Sequence, residues 1–382
     1  MKTLKVFLVA LLTVSMLCMT GCWNYRELED IAIVTGFAVD KGKDGYPYEV
    51  TFEFLDPKEQ QPKPRYLITQ GKTIFEAIRN AVADSERRLY FPDAKILVIS
   101  KDLAASGVAP IFDFVLRDQE LRITMIPVVS TAPTAGEMLQ RQGISSTLIS
   151  LDIWKTITGS RNNLSESPNI QLYEAANLLD GDGCALVLAT IKPIQQGELE
   201  TAELDGSAIF KKDKLVGYIK REDTKFFLFV RNKVQGGLLV FSPENDGQNI
   251  TLEIFGSKTK ITPEIQGDQV TMNINVEVQA SLAEDTTVKN YVARDGIEKA
   301  EASAQEYLES GIQQLIEKTQ KNFGCDIFCF GKTISQYHPD YWNKVKDKWD
   351  QEFTKVKCNV TAKVKIDITG VTKDKIKVSA NG

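Results

Sequence analysis

Hydrophobic and polar positions alternate in some stretches of this chain and recur every third or fourth residue in others. Tyr48, Val50, Phe52 and Phe54 alternate with Glu49, Thr51 and Glu53. They follow the apolar run Ile31–Val39 and the turn residues Lys41–Gly45, which predicts a β-hairpin with one buried face. Pro57, Pro62 and Pro64, set among Lys and Gln, predict an extended loop. Ile74, Phe75, Ile78 and Val82 lie at helical spacing and predict a helix over Thr73–Arg88. Lys95–Ser100 and Arg122–Ser130 predict strands, with short helices at Ile111–Leu116 and Ala135–Gln140. Residues 145–180 are helical and loop-like, with a polar break over Gly159–Pro168.

From residue 183 the texture turns to strands. Cys184–Ile191 is apolar, and Gly206–Phe210 and Leu215–Ile219 flank the turn Lys211–Lys214. Phe226–Val230 and Gly237–Phe241 are added as further strands. Two longer stretches then alternate strictly. In one, Val270, Met272, Ile274, Val276, Val278 and Ala280 share a face. In the other, Val356, Cys358, Val360, Ala362, Val364, Ile366 and Ile368 do. Between them, residues 286–322 carry a helical stripe of Ile297, Ala300, Ala304, Leu308, Ile312 and Leu315, with Gly324 as its stop. A second helix starts at Pro339 and carries Trp342, Val345, Trp349 and Phe353. Both helices can cover the apolar face of the sheet. The expectation is an α+β protein of three domains, with mixed and antiparallel sheets packed with helices. A leader over residues 1–21 precedes an N-terminal α/β domain (22–180). A middle β-rich domain (181–246) and a C-terminal α+β domain (247–382) follow.

The leader changes the picture most. Lys2 and Lys5 precede the mostly apolar run Val6–Met19, which is shorter than the roughly 20 residues of a spanning helix. Met19-Thr20-Gly21-Cys22 closes it, the order of a secretory signal ending in a lipobox. Cleavage before Cys22 would leave a thiol for a diacylglycerol, and the two acyl chains would anchor the protein stably on a bilayer. The folded part is then expected outside the cytoplasm. At 43% hydrophobic and 25% charged, the rest reads as an ordinary globular body. The formal net charge of −5 becomes more acidic once Lys2 and Lys5 leave, which argues against a nucleic-acid partner.

Catalytic chemistry is thin. His338 is the only histidine, and it precedes Pro339 at an expected helix start. Cys184, Cys325, Cys329 and Cys358 permit two disulfides without fixing which, and a Cys325–Cys329 bond needs a non-helical loop. The same four thiols make a poor zinc set, and Cys358 reads as a small buried hydrophobe. Asp180-Gly181-Asp182-Gly183 is a turn rather than a calcium loop, lacking further oxygen ligands in register. No phosphate-binding, nucleophile-elbow or dinucleotide fingerprint occurs. No catalytic residue, metal ligand or cofactor is expected.

The segment Gly21-Cys22-Trp23-Asn24-Tyr25-Arg26-Glu27-Leu28-Glu29-Asp30, running into Ile31–Gly36, resembles the mature start of the Ger(x)C spore germination lipoproteins. Lys95–Ser100, Phe114–Asp118, Leu204–Lys211, Asp213–Gly217, Asp326–Gly331, Trp342 and Trp349–Phe353 continue the resemblance in order. Cys329 stands where the resemblance leads one to expect a small, glycine-like residue. The resemblance implies a non-enzymatic, three-domain lipoprotein subunit of a membrane-bound nutrient germinant receptor. It implies lipid attachment at Cys22, a place on the extracytoplasmic face of the spore inner membrane, and integral-membrane A-type and B-type partners. An alternative is an extracytoplasmic substrate-binding lipoprotein of a transporter, which needs a cleft between two similar lobes. A surface hydrolase working with paired carboxylates is a third reading.

Overall fold

A computed structural model describes residues 2–17, 31–55, 63–85, 87–145, 147–244, 246–289, 291 and 294–367. Helix α1 spans Lys2–Leu17. The first body runs β1 (Ile31–Lys41), β2 (Tyr48–Leu55), β3 (Pro64–Gly71), α2 (Ile74–Asp84), β4 (Arg88–Tyr90), β5 (Ile96–Ser100), α3 (Lys101–Ser106), α4 (Ala109–Arg117) and β6 (Ile126–Ser130). It continues through α5 (Ala135–Leu139), α6 (Ile149–Asn163), α7 (Leu172–Asp180), β7 (Val187–Gln196), β8 (Leu199–Lys211) and β9 (Lys214–Ile219). These strands form one nine-stranded sheet in the order β3-β2-β1-β5-β6-β7-β8-β9, with β4 paired to β1. Its centre, β1-β5-β6-β7, is parallel and its flanks are antiparallel.

The second body is α8 (Arg221–Val230), β10 (Gly237–Phe241), β11 (Ile250–Gln266), β12 (Gln269–Asp285), α9 (Arg294–Asn322), α10 (Phe330–Tyr337), α11 (Pro339–Val345), α12 (Trp349–Phe353) and β13 (Lys357–Asp367). Its sheet has the order β10-β11-β12-β13. The α+β class stands. Residues 181–246, expected as a separate β-rich unit, divide between the two sheets instead: β7–β9 extend the large one and β10 edges the small one.

The β1–β2 hairpin forms, but both of its faces are buried. Helices α2, α3, α4 and α7 cover one side of the large sheet, and α5 and α6 cover the other. Alternation alone showed only one face, because the second is capped by carboxylates instead of hydrocarbon. Glu53 of β2 is fully buried and accepts from Ile149 N at 3.0 Å, Ser150 N at 3.1 Å and the Thr35 hydroxyl at 3.1 Å. Asp40 of β1 accepts from Ala135 N and Gly136 N, both at 2.8 Å. Each acid thus satisfies N–H groups left open at the start of α6 or α5. Burial raises both carboxyls above their ordinary values, against those hydrogen bonds.

Other expectations shift. Helix α2 ends at Asp84, and its buried face is Ile74, Ala77, Ile78 and Ala81, while Phe75 is exposed. Pro64 opens β3, and Pro57 and Pro62 lie outside the described residues. Phe226–Val230 is not a strand but the end of α8, with all five residues buried. A short apolar run buried on every side carries no period, and Glu222 and Asp223 in the first turn favour the helix. The helix begun at Pro339 breaks after Val345 and resumes at Trp349.

In the second body the expected stripe of α9 is buried, and α9 packs against β13 and α8. Gly324 follows α9 with φ of +56°, the left-handed stop that the sequence predicts. Strand β13 lies parallel to β12 at the sheet edge. Two of its backbone N–H groups, at Ala362 and Ile366, donate to Glu309 and Glu301 of α9, each at 2.8 Å. Those carboxylates occupy donors that would otherwise template another strand. The core of the second body also takes in Val187, Ile209 and Ile219, so hydrophobic packing is continuous across the two sheets.

Candidate functional site

Cys22, the one site residue taken from the sequence, lies outside the described residues. Among the described residues no helix is long and apolar enough to cross a membrane. No cluster of three metal-binding side chains occurs among them either. His338 sits half-buried at the start of α11, with ring Nε2 3.4 Å from the Pro263 carbonyl oxygen. Cys184 is joined to Cys329, with Cα atoms 4.2 Å apart and a sequence separation of 145. Cys325 and Cys358 are free thiols, and burial pushes both up to about 12.

The disulfide marks the place where the two bodies are fastened. The turn Asp180–Gly183 brings Gly183 against Gly331, and Lys332 N donates to the Gly183 carbonyl at 3.0 Å. Ala185 N donates to the Asp326 carbonyl at 2.6 Å. The Asp326 side chain is fully enclosed and accepts from Phe328 N at 3.1 Å, Gly331 N at 2.8 Å and Trp349 Nε1 at 3.0 Å. Burial lifts its carboxyl to about 6, opposed by those donors and by the nearby Arg231 guanidinium. Cys329 itself has φ of +62°, a left-handed conformation in which glycine is the least strained residue. Asp326 is therefore another buried acid spent on backbone N–H groups. With Asp40 and Glu53 it is committed to folding, as a structural carboxylate commonly is.

Arg231, at the end of α8, donates through Nη1 to the Ile327 carbonyl at 3.0 Å and lies 3.4 Å from Cys184 Sγ. Its guanidinium lies over the Phe227 ring, 5.9 Å from the centroid. Burial lowers its pKa, and the Asp326 and Glu174 carboxylates raise it again. Beside it a cleft of about 460 Å³ opens between α7 and α8, with Tyr173, Glu174, Asn177, Arg231, Lys233 and Lys332 among its walls. Sequence reasoning missed this cleft, because its walls come from positions between 165 and 332 that only the tertiary fold gathers. Arg231 directly follows Phe226–Val230, a stretch expected as strand, so its place at the end of a helix was not read.

Comparison with known proteins places this arrangement. The profile described as "Spore germination protein N-terminal domain" matches residues 24–193, and "Spore germination B3/ GerAC like, C-terminal" matches residues 205–370. The chain belongs to the Ger(x)C family of spore germination proteins. The two Ger(x)C matches meet inside the β7–β8 hairpin. Spore germination protein B3 of Bacillus subtilis (strain 168) is 28% identical over 383 residues, covering 95% of this chain and 98% of the relative. Spore germination protein KC of the same organism is 25% identical over 406 residues, covering 98% of each. A crystal structure of the GerBC protein superposes with a TM-score of 0.58 at 22% identity, covering 87% of this chain and 96% of that one, and shares the fold. The role of this Ger(x)C chain is in spore germination.

Proposed function

We propose that this chain is a non-enzymatic lipoprotein subunit of a membrane-bound nutrient germinant receptor. The observation that carries the reading is the pair of family matches running from residue 24 to residue 370, just after the Met19–Cys22 lipobox. A diacylglycerol on Cys22 would hold the protein on the extracytoplasmic face of the spore inner membrane. Eight residues lie between Cys22 and the start of β1 at Ile31, a reach of at most about 30 Å. The body would therefore stay close to the bilayer, where integral-membrane A-type and B-type subunits are its partners. Confinement at that surface raises the effective concentration of such partners without a large interface. The transporter reading is weaker, because the nine-stranded and four-stranded bodies are not two similar lobes. The hydrolase reading is weaker too, because the enclosed acids Asp40, Glu53, Asp152 and Asp326 are bonded to backbone donors.

Substituting Cys22→Ala tests the reading. Loss of the chain from spore membrane fractions, with a slowed response to nutrients, is the expected result. Full membrane retention with unchanged germination would refute it.

A further inference from the structure

The cleft between α7 and α8 differs in charge from the molecule around it. The chain carries a formal net charge of −5, yet this cleft gathers Arg231, Lys233 and Lys332 against a single carboxylate, Glu174. The three cations come from separate places: the end of α8, the turn after it, and α10. Like charges are not brought together by folding alone, since their mutual repulsion costs stability. Neither lysine has an ion pair or side-chain hydrogen bond among the described residues.

Arg231 is set up as more than a strut. Both of its protein contacts use Nη1, which leaves Nε and Nη2 without a protein acceptor among the described residues. That adjacent pair of N–H groups is the fork that carboxylates and phosphates match with two parallel hydrogen bonds. The Nη1 bond and the Phe227 ring hold the guanidinium plane in place. A fixed fork loses little side-chain freedom on binding. Asp326 is near Arg231 but is occupied by its own donors and makes no hydrogen bond to the fork among the described residues.

The remaining walls decide the kind of anion. Ile170, Leu178 and Leu228 supply apolar surface beside the cations. A bare inorganic ion would leave that surface wet, whereas an organic body would cover it. The volume of about 460 Å³ falls in the usual range of small-molecule sites, about 300–1,000 Å³. We propose that this cleft binds a small organic oxyanion, its carboxylate or phosphate head on the Arg231 fork with Lys233 and Lys332, and its carbon body against the α7–α8 walls. The proposal concerns the chemistry of the cleft and stands whether or not the receptor partners above are correct.

Titration calorimetry on the full chain in detergent micelles at low salt tests it. The probes are butyrate, succinate, glycerol 3-phosphate, inorganic phosphate and glycerol. The wild type is compared with Lys233→Gln/Lys332→Gln, whose two side chains bond to no described residue, so the fold is expected to survive. Saturable binding of an organic anion, weakened roughly tenfold or more in the double variant at unchanged melting temperature, is the expected result. A response to the two carboxylates alone, or to glycerol 3-phosphate alone, identifies the head group and supports the site. No saturable binding of any organic probe up to about 10 mM would overturn the proposal. So would equal binding by the double variant, or inorganic phosphate bound as tightly as the organic anions.

Discussion

Gly183 and Gly331 meet backbone to backbone beside the Cys184–Cys329 bond. A Cβ on Gly183 would lie 2.7 Å from the Gly331 carbonyl carbon, and one on Gly331 would lie 2.6 Å from the Gly183 Cα. Gly183 also has φ of +73°. Two segments far apart in sequence thus touch at a point where neither tolerates a side chain. Gly183→Ala is expected to destabilise the protein by roughly 2–4 kcal/mol, the combined cost of left-handed backbone and overpacking. Gly197 is the control, with φ of +63° and open space around its Cβ. Urea unfolding should show a smaller loss for Gly197→Ala, and equal losses would contradict the close contact.

The disulfide spans 145 residues and joins the two bodies. Replacing both partners, Cys184→Ser with Cys329→Ser, should cost about 2–4 kcal/mol, since the unfolded chain regains the freedom of a long loop. Cys325 and Cys358, held at about 12, should stay protonated and unlabelled by iodoacetamide in the native protein at pH 8. Urea unfolding reads the stability loss, and peptide mapping without reductant reads the pairing and the labelling. A native Cys325 or Cys358 adduct, or a pairing other than Cys184–Cys329, would contradict the arrangement.

Asp326 makes stability depend on pH in a defined direction. Its carboxyl titrates near 6 in the folded protein and near 3.8 when unfolded. The folded state therefore binds the extra proton between those values. This contribution is full below about pH 3.8, falls as pH rises to about 6, and is flat above. Subtracting the stability profile of Asp326→Asn from that of the wild type should leave a decline confined to that window, at most about 1.4 kcal/mol per pH unit. Asp40 and Glu53 are raised in the same direction but are common to both proteins. A flat difference profile would show that Asp326 keeps an ordinary carboxyl.

Strict alternation made β12 and β13 legible in the sequence, and helical spacing did the same for α9, because each of them buries one face. Elements buried on several sides were harder. The α8 run Phe226–Val230 has no period to read, and α10 follows Cys329, whose left-handed conformation no local pattern announced. Strand β3 was masked by Pro64, which the edge of a sheet accommodates. Glu53 stood on the polar side of its hairpin in the sequence, and only the covering helix α6 turned that side into an interior. The Cys184–Cys329 pairing and the Arg231 cleft join residues whose proximity is purely tertiary, so spacing along the chain carried no trace of either.

The receptor assignment is tested most directly by affinity capture from purified spore inner membrane, with a tag at the C-terminus and mass spectrometry of partners and of the N-terminal peptide. The account predicts two multi-spanning germination subunits in the captured material and an acylated Cys22. Recovery of a transporter instead, or of an unmodified chain alone, would contradict it.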